Sequence, residues 1–269
     1  MNRFKISRRQ MFARLSALGS FLAIASPPNR VCASGVRTES KRNLNFSCPQ
    51  VEAVYHPNAK SLRIDEWSIV LNLSSQPIVY RTGGTGAVNV LGPFESKLVR
   101  RVRVSESQQL VVIRVVDPIN IASIIFGSGW NLYADLDPRF PKTRTLWRSA
   151  KDTIGHIEID PHVLTRQTPL DRNKYEVTLN LWYASGGTDC GIHQMHEFLE
   201  LHTQISGSGR MQKFENANES SIYEDFIVAT GLTHRTFATT DSDANFRYPW
   251  HRYFAESGCI WMAVELVEQ

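Results

Sequence analysis

The fold is decided by the segment from Gly191 to Met211, GIHQMHEFLELHTQISGSGRM, which holds three of the eight histidines of the chain. On a helix, His196 and Glu200 would share one face, but Gly207 and Gly209 with turn residues around them disfavour a long helix. On a strand, alternate side chains face the same way. A strand would have an apolar face of Leu199, Leu201, Thr203 and Ile205 and a polar face of Glu200, His202 and Gln204. A polar inner face is typical of a barrel that holds a ligand or a metal ion.

The sequence on either side of this segment is typical of β-strands. Short runs rich in Val, Ile and Leu alternate with turn residues such as Gly83-Gly84-Thr85-Gly86, and long patterns of helical period are scarce. Residues 132–159 lack a regular pattern, and we interpret them as loops and turns, with one helix from Arg144 to Lys151 left open. We predict an all-β protein with three parts: an export signal at 1–33, a β-rich region at 34–172 and a barrel at 173–269.

A weak internal repeat suggests that the two β-rich parts are similar. Residues 67–73 read WSIVLNL and residues 175–181 read YEVTLNL. Two such segments are expected from a duplicated β-domain, with a boundary near residue 170. Chance explains the repeat equally well, because strands share their composition.

The composition and the charge exclude several classes of protein. The 269 residues are 42% hydrophobic and 21% charged, a globular balance that excludes a disordered, collagen-like or coiled-coil chain. Six of the 30 Lys and Arg lie within residues 1–33, which contain no Asp or Glu. The rest of the chain therefore has 24 basic and 26 acidic residues, and the formal charge of +4 comes from the N-terminus. We expect no nucleic-acid partner.

The N-terminus has the layout of an export signal. Basic residues including Arg8 and Arg9 precede an apolar run from Leu15 to Ala25 and a small-residue site, Val31-Cys32-Ala33. The apolar run is too short to span a bilayer stably, and no later segment is apolar enough to do so. The hexapeptide SRRQMF at 7–12 resembles the bacterial twin-arginine signal, although Met11 and Phe12 replace the usual aromatic residue and Leu. An ordinary secretory signal is the alternative.

An export signal implies a periplasmic or secreted protein. The twin-arginine route carries folded proteins, often already loaded with a metal or cofactor. Cleavage near Ala33 would leave three cysteines, Cys48, Cys190 and Cys259. In an oxidising compartment Cys190 and Cys259 are the candidate disulfide pair, and three buried thiols are the alternative.

The histidine-rich segment resembles the first motif of the cupin family. In that motif two His precede a Glu, and a Gly follows the Glu by seven residues; His196, Glu200 and Gly207 match this spacing. The other His stands at 193 instead of 194, so a one-residue bulge would be needed to bring it to the site, or His202 would replace it. The second cupin motif, Gly-x-x-His, is matched by Gly231 and His234, with Ala229 where the family usually has Pro. The resemblance covers residues 173–269.

The resemblance implies a cupin-type double-stranded β-helix, of the jelly-roll kind, that holds one divalent metal ion. The N-terminal β-rich part would be a second sandwich, with a degenerate cupin as one form of it. Imidazole and carboxylate ligands suit Zn, Fe, Mn, Ni or Cu, and a metal-free cupin is the alternative. The implied metal ligands are His193, His196, Glu200 and His234.

Cupins host many activities, and the resemblance favours a metal-dependent lyase or isomerase acting on a small oxygenated substrate, either a sugar derivative or a hydroxy/keto acid. His202 or His251 would move the proton. His251 and Arg252 belong to an aromatic segment, Phe246 to Phe254, of the kind that binds a sugar face or a carboxylate. The alternatives are a dioxygenase using Fe or Cu and a non-catalytic ligand-binding cupin. The oligomeric state is left open, with a homodimer among the alternatives.

Overall fold

The structure is a computed structural model that describes residues 40–167, 171–194, 196–240 and 245–269. The predicted export signal lies outside these residues. Residues 39–269 form one compact unit. In the described part of the chain, no helix is both long enough and apolar enough to cross a membrane.

The described residues form an all-β structure, which confirms the predicted fold class. Two single-turn helices, α1 (Tyr133–Leu136) and α2 (His162–Thr165), and two 3₁₀ turns (Ile121–Phe126 and Glu219–Ser221) interrupt the strands. The strands are β1 (Arg42–Asn43), β2 (Val51–Ile64), β3 (Ser68–Asn72), β4 (Ile78–Thr82), β5 (Val88–Leu91), β6 (Ser96–Val99), β7 (Val102–Val115), β8 (Asn131–Leu132), β9 (Leu146–Arg148), β10 (Asp152–Ile159), β11 (Asn173–Ala184), β12 (Leu199–Ser206), β13 (Ser208–Phe214), β14 (Ile222–Ala229), β15 (Thr233–His234), β16 (Thr239–Thr240), β17 (Phe246–Arg247), β18 (Trp250–Ala255) and β19 (Cys259–Glu268).

The C-terminal strands form a jelly roll, the architecture of the cupins. One sheet has the order β15-β12-β19-β11 and continues through β9 to β8. The other has the order β14-β13-β18, and single-residue bridges from Asp189 to Phe254 and from His193 to His251 add the segment 189–193 beside β18. Trp261 on β19 stacks on Tyr253 of β18 with ring centroids 4.0 Å apart. The faces that carry these two rings therefore form the inside of the barrel.

Strand β12 has the two faces that its sequence predicts. Leu199, Leu201 and Ile205 are buried in the main apolar core. Glu200, His202 and Gln204 lie on the opposite face, where the Gln204 amide oxygen accepts from the Tyr253 hydroxyl at 2.7 Å. Since Tyr253 belongs to the facing sheet, the polar face of β12 lines the barrel interior and the apolar face lies outside.

The N-terminal strands repeat the same strand order in a smaller form. The sheet runs β1-β2-β7-β3-β6, with β2 beside β7, the last strand of this half, as β11 lies beside β19 in the C-terminal half. The long strand β7 pairs with β3 through residues 110–113 and with β4 through residues 102–104. Val70 on β3 packs with Ile78, Leu91 and Val99 in a second apolar core. The N-terminal part is therefore a second β-sandwich.

The outer apolar faces of the two halves pack on each other. Ile69 and Leu71, on the face of β3 opposite Val70, belong to the same core as Leu199 and Leu201. The Oγ atom of Ser96 donates to the Gly231 carbonyl at 2.8 Å. Gly231 has φ +88°, and a Cβ atom built there would lie 2.7 Å from Cβ of Leu98. This glycine is needed for the close approach of the two halves.

Residues 132–159, interpreted above as loops and turns, contain strands. β9 and β10 both pair with β11, and the single helical turn of this region is α1, not a helix at 144–151. The loop interpretation was wrong because these strands gain their partner from β11, which lies 14 to 38 residues further along the chain. Strands before residue 173 thus extend the C-terminal sheet, and the division at residue 172 remains a prediction.

Candidate metal centre

Three histidines converge at one edge of the C-terminal barrel. His251 lies on β18, His193 lies in the segment bridged to β18, and His196 lies in the connection that leads to β12. Nε2 of His196 is 3.1 Å from Nε2 of His193 and 3.0 Å from Nε2 of His251. One ligand atom from each of the three side chains lies within 4.8 Å of the others. We call these residues the histidine cluster.

The hydrogen bonds around the histidine cluster fix the tautomers of its rings. Nδ1 of His193 is 3.0 Å from the Gly191 carbonyl, and Nδ1 of His251 is 2.8 Å from the Pro249 carbonyl. A carbonyl oxygen only accepts, so in both neutral rings Nδ1 carries the proton and Nε2 has a free lone pair. If Nε2 of His196 carries a proton, it can donate a good hydrogen bond to Nε2 of only one of the two neighbouring histidines. Two or more Nε2 lone pairs therefore face a common point, which is the arrangement that a metal ion requires.

Burial keeps two of these rings neutral. It lowers the pKa of His196 to about 4, although Glu200 opposes the shift. It lowers the pKa of His251 to about 3, and His193 adds to the effect. Neutral imidazole is the form that binds a metal, so these rings are ready to bind without losing a proton at neutral pH.

A carboxylate and a fourth histidine lie beside the cluster. Oε1 of Glu200 is 3.2 Å from Nε2 of His202, and Oε2 is 3.7 Å from Nδ1 of His196. Burial by itself would raise the pKa of Glu200, but His202 and, more weakly, His196 outweigh it and lower the value to about 2. Glu200 is therefore an ionised carboxylate in hydrogen-bond reach of an imidazole, a pair that can accept and return a proton.

His234 lies close to this pair but outside the histidine cluster. It is the Cα partner of His202 across β12 and β15. Its ring packs between Phe226 and Phe237, with centroids at 4.8 Å and 4.0 Å. Burial lowers its pKa well below the usual value. Of the four predicted ligands, the structure brings together His193 and His196, with Glu200 adjacent, and His234 as a ligand remains a prediction.

The structure brings His251 but not Arg252 to the cluster. Successive residues of a strand face opposite ways, and the Arg252 guanidinium donates at 2.6 Å to Gln212 and at 2.6 Å to Glu219. The sequence predicts a catalytic role for His251 and not a ligand role. Its place beside His193 depends on a bridge between residues 58 positions apart, which motif spacing does not reveal.

The donor set fits a divalent transition metal. Imidazole with a nearby carboxylate suits Zn, Fe, Mn, Ni or Cu. Nitrogen ligands that bind at right angles, each about 2.1 Å from a metal, stand roughly 3 Å apart, as the His196 contacts do. The three described cysteines are free thiols outside the cluster, so they form no thiolate site, and the candidate disulfide between Cys190 and Cys259 is not formed. Glu200 is an ionised candidate for a fourth ligand.

The comparisons with known proteins return structures and no sequence family. No family model matches the chain, and no curated protein matches it. The chain is similar to a cupin 2 conserved barrel domain protein from Leptotrichia buccalis at 11% identity and a TM-score of 0.28, covering 91% of this chain and 98% of that one. It is also similar to a mutant of oxalate decarboxylase from Bacillus subtilis at 11% identity and a TM-score of 0.27, covering 87% and 79%. A protein of unknown function from Pseudomonas syringae matches at 13% identity and a TM-score of 0.26, covering 83% and 86%.

The strand order and the cluster together define the class: an all-β protein of the cupin fold with a candidate metal centre.

Proposed function

We propose that the protein binds one divalent transition-metal ion through His193, His196 and His251, with Glu200 as an adjacent ligand or base. The convergence of three Nε2 atoms carries the proposal, since two of the rings donate Nδ1–H to carbonyls and present lone pairs to the same point. Three protein ligands leave positions open for a substrate, as in catalytic rather than structural sites.

The activity that this site supports best is that of a lyase or isomerase on a small oxygenated substrate. When bound, the metal would act as a Lewis acid towards substrate oxygens and stabilise enolate-like charge. The chain itself supplies the proton transfer. Glu200 is held ionised beside His202, so the pair can take a proton from carbon next to a carbonyl or hydroxyl group and return it.

Elemental analysis tests the metal. The protein is purified without chelator beside His196→Ala, His251→Ala and His234→Ala, with His156→Ala as the matched control, because His156 is exposed on β10. We expect close to one metal per chain in the wild type and in His156→Ala, and its loss in His196→Ala and His251→Ala. Absence of metal after adding back Mn, Fe, Zn, Ni and Cu would overturn the proposal. The His234→Ala protein decides between His234 and His251 as the third histidine.

Deuterium exchange tests the reaction class. Candidate hydroxy and keto acids are incubated with metal-loaded protein in D₂O, and ¹H NMR follows loss of the signal at the carbon next to the carboxylate. We expect exchange that Glu200→Gln slows at least a hundredfold per bound metal ion, with the metal content measured on the same samples. The same assay without O₂ separates the alternative: a dioxygenase would turn over only in air, and a binding module would show neither reaction.

We also propose that residues 1–33 direct export of the protein. The support is the order of basic, apolar and small-residue segments, with Arg8-Arg9 in the basic one. Fractionation of bacterial cells that express the full chain tests this. Arg8→Lys with Arg9→Lys is expected to keep the protein in the cytoplasm if the twin-arginine route is used, and to leave export unchanged if the ordinary route is used.

A further inference from the structure

The inner face of the C-terminal barrel carries an arginine that the metal centre does not use. Arg148 on β9 is the Cα partner of Trp182 on β11. Its guanidinium carbon lies 5.7 Å from the Trp182 ring and 6.0 Å from the Tyr133 ring. Among the described residues no carboxylate pairs with Arg148, and its buried Nε has no hydrogen-bond partner. A guanidinium held between two aromatic rings without a counter-ion is placed to bind an anion.

Two further buried polar atoms on the same face have no hydrogen-bond partner among the residues that the structure describes. They are Nε1 of Trp182 and Oδ1 of Asn180, two residues apart on β11. Asn180 is 0% exposed, and its Nδ2 donates to Glu265 at 2.9 Å. Because a carboxylate only accepts, this contact fixes the orientation of the amide and leaves Oδ1 directed elsewhere. Buried polar groups are nearly always paired, so these atoms indicate a ligand with acceptors for Arg148 and Trp182 and a donor for Asn180.

The group lies beside the Glu200–His202 pair. Ala263 on β19 is the Cα partner of Asn180 on one side and of His202 on the other. With neighbouring strands about 4.8 Å apart, the backbones of Asn180 and His202 are separated by about 10 Å, and the residue at this register on the strand between them is the small Ala263. Burial and Asp137 raise the pKa of Tyr133, Arg148 lowers it, and Glu200 raises it, so the arginine and the carboxylate act on the same hydroxyl.

We propose that Arg148, Trp182 and Asn180 form a substrate subsite selective for a small 2-hydroxy carboxylate. Arg148 and Trp182 Nε1 donate hydrogen bonds to the carboxylate, and Asn180 Oδ1 accepts a hydrogen bond from the hydroxyl group. This inference rests on the proposed function for the identity of the ligand as the substrate. It selects a hydroxy acid over a neutral sugar, because a neutral sugar would leave the guanidinium without a counter-ion.

Isothermal titration calorimetry with three matched ligands tests the subsite. Lactate carries both groups, propionate lacks the hydroxyl, and 1,2-propanediol lacks the charge. The titrations are made on chelator-treated protein and on protein supplied with Zn²⁺ or Mn²⁺. We expect lactate to bind at least tenfold more tightly than 1,2-propanediol and several-fold more tightly than propionate.

Arg148→Gln should weaken lactate binding at least tenfold. Arg139→Gln is the matched control, since this arginine lies in the same segment with its side chain 90% exposed, and it should change the affinity less than twofold. Trp182→Phe keeps the ring and removes Nε1–H, so a smaller loss of lactate affinity is expected. If Arg148→Gln fails to fold, Arg148→Lys keeps the charge without the planar fork and should still weaken lactate binding several-fold.

Metal content measured on the same samples separates the two proposals. Lactate binding that depends on Arg148, in protein that takes up no Zn²⁺ or Mn²⁺ when these are added, would overturn the metal centre and keep the subsite. The subsite is overturned by equal lactate affinity in the wild type and Arg148→Gln, by equal affinity for lactate and 1,2-propanediol, or by no lactate binding in either state of the protein.

Discussion

The two halves of the molecule share one strand order and have opposite interiors. In the N-terminal half, Val70 on the second strand packs into an apolar core with Ile78 and Leu91. In the C-terminal half, the interior face of the corresponding strand, β12, carries Glu200 and His202. The strand order thus determines which strands are neighbours, and the side chains that point inward determine whether the barrel is filled or holds a site.

The outer faces are alike where the interiors differ. In both halves the outer face of the sheet carries apolar side chains that form the shared contact, including Ile69 from β3 and Leu201 from β12. In the C-terminal half the polar side chains of β12 share the interior with the stacked rings of Tyr253 and Trp261. Leu199 and Leu201 of β12 are buried in the core that also contains Ile69 and Leu71 of the N-terminal half.

A charge placed in the filled interior should have the largest effect. Val70→Asp puts a carboxylate into an apolar core without a partner, and we expect a loss of about 4 kcal/mol or more of unfolding free energy in urea titrations. Val90→Asp on β5 is the matched control, because Val90 is 62% exposed. It should change stability by less than about 0.5 kcal/mol. Equal effects at both positions would contradict the filled interior.

The two interiors should respond differently to truncation. Leu91→Ala leaves a cavity at a site that is 1% exposed, and we expect a loss of about 2–5 kcal/mol with metal binding unchanged. His251→Ala should abolish metal binding and cost less stability in the metal-free protein, because it also removes a desolvated imidazole. Urea titration and metal analysis of both variants check this contrast. A Leu91→Ala protein that loses its metal would show that the interiors are coupled.

Metal binding should stabilise the protein only when the histidine cluster is intact. At a free metal concentration a hundredfold above Kd, the unfolding free energy should rise by about 2.7 kcal/mol. His196→Ala should lose this gain, whereas Leu91→Ala should keep it. Thermal unfolding with and without added metal measures the effect, and an equal gain in His196→Ala would place the metal elsewhere.

The smallest expected effect concerns the contact between the halves. Ser96 Oγ donates to the Gly231 carbonyl and accepts from Thr233 Oγ1 at 2.7 Å. Ser96→Ala should cost about 1 kcal/mol without affecting metal binding. A double-mutant cycle with Thr233→Val isolates the contact between the halves, and a coupling energy of zero would show that this contact contributes nothing.

The sequence was most informative where a pattern is local. Alternation along β12 is complete within eight residues, so its polar and apolar faces could be predicted. The proximity of His193, His196 and Glu200 follows from short spacing in one segment. Local patterns of this kind need no knowledge of the strand pairing.

The sequence was least informative where function depends on distant pairing. His251 joins His193 through a bridge between two segments, and Arg148 meets Trp182 across β9 and β11. β9 is only three residues long, too short to show an alternating pattern. Gly231 is a case in which a motif match does not require a functional role. It matches the second cupin motif, but its close approach to Leu98 accounts for the glycine by packing alone.

The pairing of β2 with β7 and of β11 with β19 affects folding during translation. β2 must wait for β7, and β11 must wait for β19, before either central ladder can form. The N-terminal half can therefore close while the ribosome is still making the rest of the chain. The C-terminal half stays open until β19 has left the exit tunnel, so His193 and His196 are translated well before the strand order that aligns them with His251 is complete. During that interval the edges of β11 and β12 are exposed, and this is when the nascent chain is most open to aggregation and to chaperones.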